Sequence, residues 1–255
     1  MLAAAVAFAA GGGLAAHDGS PPRSVPAAAL PALPAAPAPA FRIPIPKLLD
    51  ETHLTSSWST VVRPVTARAA PSVEGAAVTR LQTMTPEGTA NVVLVLARAE
   101  DSAGRLWVRI RLPILPNGST GWVARRSLSG YHSVSTRLLV DLQRREATLW
   151  AGERVLLRAP VGIGRTNWPT PRGEFYIRDR VRNVASPFYG PVAFGTSARS
   201  SVLTDWPAGG FIGIHGTDQP ELIPGRISHG CIRMRNTDIL RLARLMPVGT
   251  PLTIA

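Results

Sequence analysis

The sequence of 255 residues contains a single cysteine, Cys231, and a single lysine, Lys47. One thiol cannot form a disulfide within the chain, so Cys231 has to be explained by its reactivity or its packing. The paired cysteines that most structural zinc sites require are absent as well. Carboxylates are scarce, with 16 Asp and Glu against 28 Lys and Arg, and the formal net charge is +12. This balance favours anionic partners.

A strongly basic chain raises the question of nucleic-acid binding. Proteins of that class cluster their basic residues around aromatic side chains on which bases stack. Here the arginines are spread through strand-like segments, and aromatic residues make up only 6% of the chain. We therefore predict no nucleic-acid partner, and we expect the charge to suit an anionic cell wall.

The amino-terminal segment from Met1 to Ala16 carries no charge and consists almost entirely of Ala, Val, Leu, Phe and Gly. This composition is typical of the apolar core of a secretory signal peptide. The usual positive start is missing, so an apolar membrane anchor over residues 1–19 and a disordered Ala-rich end are the alternatives. Residues 20–57 are rich in Pro and Ala and predict an extended linker. We expect an exported protein of the cell wall or periplasm, with or without an amino-terminal anchor.

Residues 58–131 contain short runs of β-branched residues separated by turns. The runs at 91–96 and 106–112 have the length of strands, and the second alternates clearly. Polar turn residues occur at 101–104 and 116–119. Several short strands at this close spacing predict a small β-barrel.

Three pieces of this region resemble a bacterial SH3 domain: residues 68–71, residues 104–110 and the closing Gly121-Trp122-Val123 after a polar turn. The resemblance covers under a third of the chain. It implies an SH3-like β-barrel that binds the cell wall or acts as a spacer. Trp107 and Trp122 taken alone are better explained as core residues of such a barrel than as ligand-binding residues.

Residues 134–255 form a second region in which β-strand patterns dominate. The runs with strand composition are 137–142, 147–150, 155–161, 173–178, 211–214 and 250–254. The first two alternate around a short polar break, as the strands of a hairpin do. One modest helix is predicted, with Asn236 or Thr237 as its amino-terminal cap and Pro247 after its end. The fold class is therefore mainly β.

Cys231 and His215 are the residues that suggest chemistry. A thiol with an imidazole as its base is the minimum for a cysteine nucleophile. His215 follows a predicted strand and has Gly213 and Gly216 beside it, which leaves room for a peptide. His229, two residues before Cys231, has its side chain parallel to the thiol in an extended segment rather than facing it. We therefore prefer His215 as the base and keep His229 as the alternative.

The residues that flank Cys231 suit acyl transfer. Gly230 permits an unusual backbone angle, which allows the N–H groups of Gly230 and Cys231 to face a developing oxyanion. Arg233 projects to the same side and can grip a carboxylate with two hydrogen bonds. Two other interpretations remain: a buried, inert thiol and a zinc site. The side chains that offer zinc ligands are His215, Asp218, His229 and Cys231.

Two motifs frame this candidate site, His215-Gly216-Thr217 and Ser228-His229-Gly230-Cys231-Ile232-Arg233-Met234. In this order they resemble the signature of the L,D-transpeptidase catalytic domain, also called the YkuD domain. Residues 161–164 and the segment Pro169-Thr170-Pro171-Arg172-Gly173 resemble the strand and turn that precede the active site in that family. The resemblance covers residues 135–255, about half the chain, and implies a YkuD-type β-sandwich over residues 134–255.

The resemblance implies a covalent exchange on peptidoglycan stem peptides that needs no metal or other cofactor. Cys231 attacks the carbonyl of the L-centre residue of a tetrapeptide stem, and the terminal D-alanine leaves. The side-chain amine of a diamino acid on another stem then attacks the thioester and forms a 3-3 cross-link. Such an enzyme contributes to cell-wall organisation and cell shape. An L,D-carboxypeptidase, with water as the acceptor, and a non-catalytic wall-binding protein are the alternative functions.

The same resemblance assigns a role to each residue of the two motifs. Cys231 is the nucleophile and His215 its base, with the Gly216 carbonyl orienting the imidazole. The oxyanion and supporting residues are Gly216, Ser228, His229 and Gly230. The substrate-binding residues are Thr217 and Arg233.

Overall fold

Two β-sheets and one α-helix make up the part of the chain that the computed structural model describes, which is residues 55–182, 186–203 and 210–255. The predicted signal peptide or anchor and most of the linker lie outside these residues. The mainly β fold class with one helix is confirmed. Within the described ranges, no helix is both long enough and apolar enough to cross a membrane.

The first sheet is antiparallel and has the strand order β3-β2-β6-β5-β4-β1-β7. Its strands are β1 (Ser56–Thr60), β2 (Val65–Arg68), β3 (Ala77–Leu81), β4 (Val92–Glu100), β5 (Leu106–Arg111), β6 (Thr120–Ala124) and β7 (His132–Val134). The strands predicted at 91–96 and 106–112 are confirmed as β4 and β5. Trp107 is buried and Trp122 is half-buried. An SH3-like barrel built from these strands stays a prediction.

The second sheet contains ten strands in the order β10-β9-β8-β17-β12-β13-β14-β16-β11-β15. They are β8 (Thr136–Asp141), β9 (Glu146–Ala151), β10 (Arg154–Pro160), β11 (Gly162–Gly164), β12 (Gly173–Arg182), β13 (Val192–Arg199), β14 (Phe211–His215), β15 (Gly225–Ser228), β16 (Ile232–Arg233) and β17 (Pro251–Ile254). The predicted hairpin is confirmed as β8 and β9, with Leu138 opposite Leu149.

Strand β12 joins the two halves of the second sheet. Its beginning pairs with β17, with Phe175 opposite Leu252, and its end pairs with β13, with Arg180 opposite Phe194. One apolar core draws on both halves. The alternation along the strands sends every second side chain into this core, which is why the sequence pattern predicted them.

The helix, α1, runs from Asn236 to Leu245 and buries Ile239 and Leu242 in the same core. Each of these side chains contributes roughly 1.5–3 kcal/mol by leaving water. The predicted cap is wrong by one or two residues. Arg235 precedes the helix without a side-chain cap, and the side chain of Asn236 makes a different hydrogen bond, as described below.

The two sheets contact each other through a small apolar cluster that contains Val92, Leu94 and Tyr176. The hydroxyl of Tyr176 donates to the Val92 carbonyl over 3.2 Å. Gly249 lies against Trp58 of the first sheet, and a Cβ atom at Gly249 would be 2.1 Å from Trp58 Cδ1. This close approach requires glycine, as does the positive φ of 82°.

A second contact between the sheets is polar and involves Asn117, in the turn between β5 and β6. Its side-chain Nδ2 donates to the Arg199 carbonyl over 2.8 Å, and its Oδ1 accepts from the Arg199 N–H over 3.0 Å. The amide thus pairs with the last residue of β13 as a neighbouring strand would.

Candidate active site

Two neighbouring strands bring His215 and Cys231 together. Strand β14 ends at His215, and β16 begins directly after Cys231; the two strands are parallel, with Ile214 opposite Ile232. The N–H of Gly213 donates to Cys231 Sγ over 3.4 Å. A Cβ atom at Gly213 would lie 3.9 Å from both Cys231 Sγ and His215 Cδ2. The thiol and the imidazole therefore both flank the bare backbone of this glycine.

The imidazole of His215 is oriented by its own chain. Its Nδ1 lies 2.7 Å from the Gly216 carbonyl, which can only accept, so Nδ1 carries the proton of the neutral ring and Nε2 is left as the acceptor. The ring is buried beside those of Phe188 and Tyr189, with centroids 6.1 and 4.8 Å away. Burial lowers the pKa of His215 to about 4, and the charge of Arg233 acts in the same direction. Near neutral pH His215 is thus neutral, and Nε2 is the atom that can accept a proton.

The Cys231 thiol is half-buried, and burial raises its pKa. The Gly213 N–H and the charge of Arg233 oppose this effect by stabilising the thiolate. A neutral thiol beside a neutral imidazole is therefore the resting state. Because only the thiolate attacks well, the proton has to move to His215 as the reaction begins.

Hydroxyl groups hold the loop that carries Cys231. The Ser228 hydroxyl donates to the Cys231 carbonyl and accepts from the Gly230 N–H over 3.1 Å. The Thr170 hydroxyl donates to the Gly230 carbonyl over 2.8 Å and accepts from the Gly164 N–H over 2.9 Å. Gly230 itself has a φ of 118°, which is strained for any residue with a side chain. The thiol is thereby positioned before a substrate arrives.

This arrangement corrects the prediction that two backbone N–H groups face the oxyanion. The Gly230 N–H donates to Ser228 instead, so Gly230 supports the loop rather than donating to substrate. The Cys231 N–H has no acceptor in the part of the chain that the structure describes. Of the two predicted donors, the Cys231 N–H is the one that is left to stabilise an oxyanion.

His229 and Arg233 occupy different surroundings. His229 is exposed and its ring contacts that of Trp168 at a tilted angle, with ring centroids 4.4 Å apart. Arg233 is only 4% exposed, and its guanidinium lies 4.2 Å from the centre of the Phe188 ring. No group within the described ranges pairs with Arg233 Nε. A buried cation that keeps unpaired donors is suited to a carboxylate ligand.

These residues surround a narrow cleft of about 60 Å³. Its lining consists of Phe188, Tyr189, Ser200, Leu203, Gly210, Phe211, Ile212, His215, Ser228, His229, Cys231 and Arg233. Five of the eight site residues proposed from the sequence lie in this lining. The remaining three, Gly216, Thr217 and Gly230, lie behind it, and a substrate-binding role for Thr217 stays a prediction.

Asn236 is a supporting residue that the sequence reasoning missed. Its Oδ1 accepts from the Thr217 N–H over 2.9 Å and thereby ties the helix to the segment after His215. A Cβ atom at Gly216 would be 2.2 Å from the same oxygen, so only glycine fits there. Phe188 and Tyr189 were also missed, because neither spacing nor periodicity links them to His215.

The zinc alternative concerns the same residues. Within residues 55–182, 186–203 and 210–255, no three His, Cys, Asp or Glu side chains are grouped as metal ligands. His215 is buried with its Nδ1 at the Gly216 carbonyl, whereas His229 is exposed on Trp168. The arrangement fits proton transfer between a thiol and an imidazole, and it defines a cysteine-dependent enzyme.

Comparison with known proteins identifies the class more closely. The family model of the L,D-transpeptidase catalytic domain (YkuD) matches residues 135–254. YkuD of Bacillus subtilis strain 168 is 35% identical over 123 residues, which cover 48% of this chain and 68% of that protein. Its counterpart in Bacillus licheniformis is 35% identical over 122 residues, covering 48% and 67%. The catalytic domain of the E. faecium L,D-transpeptidase is 25% identical over 47% of this chain and 96% of that domain, with a TM-score of 0.36.

The chain belongs to the L,D-transpeptidase (YkuD) catalytic-domain family and is an enzyme of that class. The match covers the second sheet and helix α1, including both motifs. The first sheet lies outside the matched residues.

Proposed function

We propose that the protein is a peptidoglycan L,D-transpeptidase that forms 3-3 cross-links through a thioester on Cys231. The observation that carries this proposal is the neutral, oriented imidazole of His215 beside the Cys231 thiol, with the buried Arg233 in the same cleft. Family membership supports the choice of peptidoglycan as the substrate.

The first half of the reaction makes the thioester. His215 Nε2 takes the thiol proton while Cys231 Sγ bonds to the carbonyl carbon of the L-centre residue of a stem tetrapeptide. The Cys231 N–H donates to the oxyanion. As the C–N bond breaks, His215 returns the proton to the amine of the departing D-alanine. Arg233 binds a stem carboxylate and holds the donor peptide in place.

The second half transfers the acyl group. The side-chain amine of a diamino acid on another stem attacks the thioester carbon, and His215 accepts a proton from that amine. The C–S bond breaks, the new amide is released, and the proton returns to the Cys231 thiolate. Water as the acceptor would give a trimmed tripeptide by the same chemistry.

The rest of the chain suits an enzyme of the cell envelope. The apolar residues 1–16 support export, and the net charge of +12 supports residence at an anionic wall. We propose further that the first sheet is an SH3-like module that helps the enzyme to stay there.

Incubation of the protein with disaccharide tetrapeptide, followed by mass spectrometry of the products, tests the function. We expect a cross-linked dimer, which disappears in the Cys231→Ser variant. Tripeptide alone would identify an L,D-carboxypeptidase instead. No reaction by the folded protein, checked by circular dichroism, would leave only a wall-binding function.

A further inference from the structure

A second and much larger cleft lies in the first sheet and has a volume of about 650 Å³. Its lining consists of Pro64, Val65, Thr66, Arg68, Val73, Arg80, Arg105, Leu106, Trp107, Ala124, Arg125, Arg126 and Ser127. We call it the arginine cleft. Its volume lies in the range of pockets that hold small-molecule or short peptide ligands.

Five of the thirteen lining residues are arginines, and none is acidic. Among residues 55–182, 186–203 and 210–255, the carboxylate that pairs with one of these arginines is Asp101, which lies outside the lining and binds Arg105 over 2.8 Å. Like charges gathered in one concavity repel each other, and they focus a positive potential into the space between them. The arginine cleft therefore favours an anionic ligand.

Some of these arginines are held in place by the protein itself. Arg68 donates to the Gly75 carbonyl over 2.8 Å, and Arg125 donates to the Leu128 carbonyl over 2.8 Å. Arg80 and Arg126 are exposed, and neither has an ion pair in the part of the chain that the structure describes. Because the guanidinium groups of Arg68 and Arg125 are already held in place, they lose less conformational entropy when a ligand binds. Arg80 and Arg126 remain available to a ligand.

Apolar side chains line the same space. Val73 is 45% exposed and Leu106 is 52% exposed, although both are large hydrophobic residues. A ligand that covers them needs apolar groups as well as anionic ones. A peptide with small apolar side chains and free carboxylates meets both requirements, whereas a phosphate polymer supplies only the anionic groups.

The arginine cleft is remote from the Asn117 contact with the second sheet. It lies at the Leu106 end of β5, whereas the turn after the other end of β5 carries Asn117. At about 3.3 Å per residue, the strand separates the two places by roughly 17 Å. A ligand in the arginine cleft thus occupies a site that is separate from the cleft around Cys231.

We propose that the arginine cleft is a second, non-catalytic site that binds carboxylate-bearing stem peptides of peptidoglycan. The choice of polymer rests on the proposed function. Stems that are held here keep neighbouring stems of the same polymer close to Cys231, which raises their effective concentration there.

The test compares two double variants that each remove two positive charges. Arg80→Gln with Arg126→Gln alters the arginine cleft, and Arg154→Gln with Arg241→Gln removes two exposed arginines of the second region outside both clefts. Co-sedimentation with purified sacculi measures polymer binding, and turnover of soluble disaccharide tetrapeptide measures catalysis. We expect the cleft variant to bind sacculi at least about tenfold more weakly, with soluble turnover unchanged. Unchanged binding, or an equal loss in both variants, would overturn the proposal.

Competition identifies the ligand chemistry. We expect a soluble stem peptide with free carboxylates to displace the protein from sacculi, and the same peptide with amidated carboxyl groups to fail. Displacement by polyphosphate but not by the stem peptide would overturn the proposal in favour of a phosphate polymer. Binding and turnover are separate measurements, so Arg80-dependent binding without turnover would support the arginine cleft and count against the transpeptidase function.

Discussion

The two clefts of this protein use charged and titratable side chains in opposite ways. In the arginine cleft of the first sheet, Arg80 and Arg126 are exposed at the edge of a wide space. In the second region, His215 and Arg233 are buried at the wall of a narrow one. Exposed charges attract a charged polymer, whereas burial changes the proton affinity of a side chain. Binding of a polymer thus requires exposed charges and acyl transfer requires buried ones, and the two kinds of site lie in different regions of the chain.

The largest effect that we expect is a loss of thioester formation without a loss of binding to sacculi. His215→Gln removes the base but keeps a polar side chain of similar size. We expect thioester formation to fall by about 10²–10⁴, because a positioned general base contributes about that much. Single-turnover mass spectrometry of the Cys231 adduct measures it, while binding to sacculi is unchanged.

His229→Gln is the matched control for that variant. Because His229 is exposed and packs against the ring of Trp168, its loss removes packing rather than a buried base. We expect most of the activity to remain. A loss as large as that of His215→Gln would reassign the base.

The next effect concerns how much the contact between the two sheets contributes to the stability of the protein. Gly249→Ala places a methyl group against Trp58 of the first sheet at a positive φ. Backbone strain and overpacking together are expected to lower the free energy of unfolding by about 2–4 kcal/mol. Urea unfolding followed by circular dichroism measures the loss.

Gly88→Ala controls for the strain alone. Gly88 has a similar φ of 77°, but a Cβ atom there meets nothing within 4 Å. We expect the loss in the free energy of unfolding to be smaller for Gly88→Ala than for Gly249→Ala, by at least about 1 kcal/mol. Equal costs for the two variants would show that the Trp58 contact contributes nothing.

A smaller effect is expected from Asn117→Ala, which removes both hydrogen bonds to the Arg199 backbone. We expect a loss of about 1–2 kcal/mol in the free energy of unfolding. Arg199 directly precedes Ser200 in the lining of the catalytic cleft, so we also expect KM for the tetrapeptide to rise by up to about tenfold.

Tyr176→Phe provides the comparison for Asn117→Ala. It removes another hydrogen bond between the sheets, to the Val92 carbonyl, without touching the residues of the cleft. We expect a similar loss of stability with KM unchanged. If both variants raise KM equally, the effect comes from loosened sheets rather than from the cleft wall.

The last effect is a pH dependence. The folded protein holds His215 with a pKa of about 4, below the ordinary value of 6.5, so the unfolded chain binds a proton more readily between these values. The free energy of unfolding therefore falls as the pH drops from 6.5 to 4 and is unaffected by this group above 6.5. Unfolding at pH 7 and pH 4.5 measures the difference.

His215→Gln is the control here as well, because glutamine does not titrate. We expect the variant to lose less stability between pH 7 and pH 4.5 than the unchanged protein does. Activity should follow the same group and fall about tenfold for each pH unit below 4. A pH response that is identical in the variant would contradict the assigned role of His215.

The sequence predicted those parts of the molecule that depend on short-range pattern. The hairpin of β8 and β9 followed from alternation, and the strand that delivers His215 followed from its apolar run. The Gly230 N–H was misplaced because a serine hydroxyl two residues away competes for it. Asn236 and Tyr189 were missed because only the folded chain brings them to the segment around His215.

The raised pKa of Cys231 has a consequence for the lifetime of the enzyme. Peroxides oxidise thiolates, so a thiol that stays protonated at rest is oxidised slowly. With no second cysteine in the chain, a sulfenic acid at this position has no internal partner that would rescue it as a disulfide. Burial that keeps the thiol protonated at rest therefore also protects an irreplaceable nucleophile from oxidative damage between turnovers.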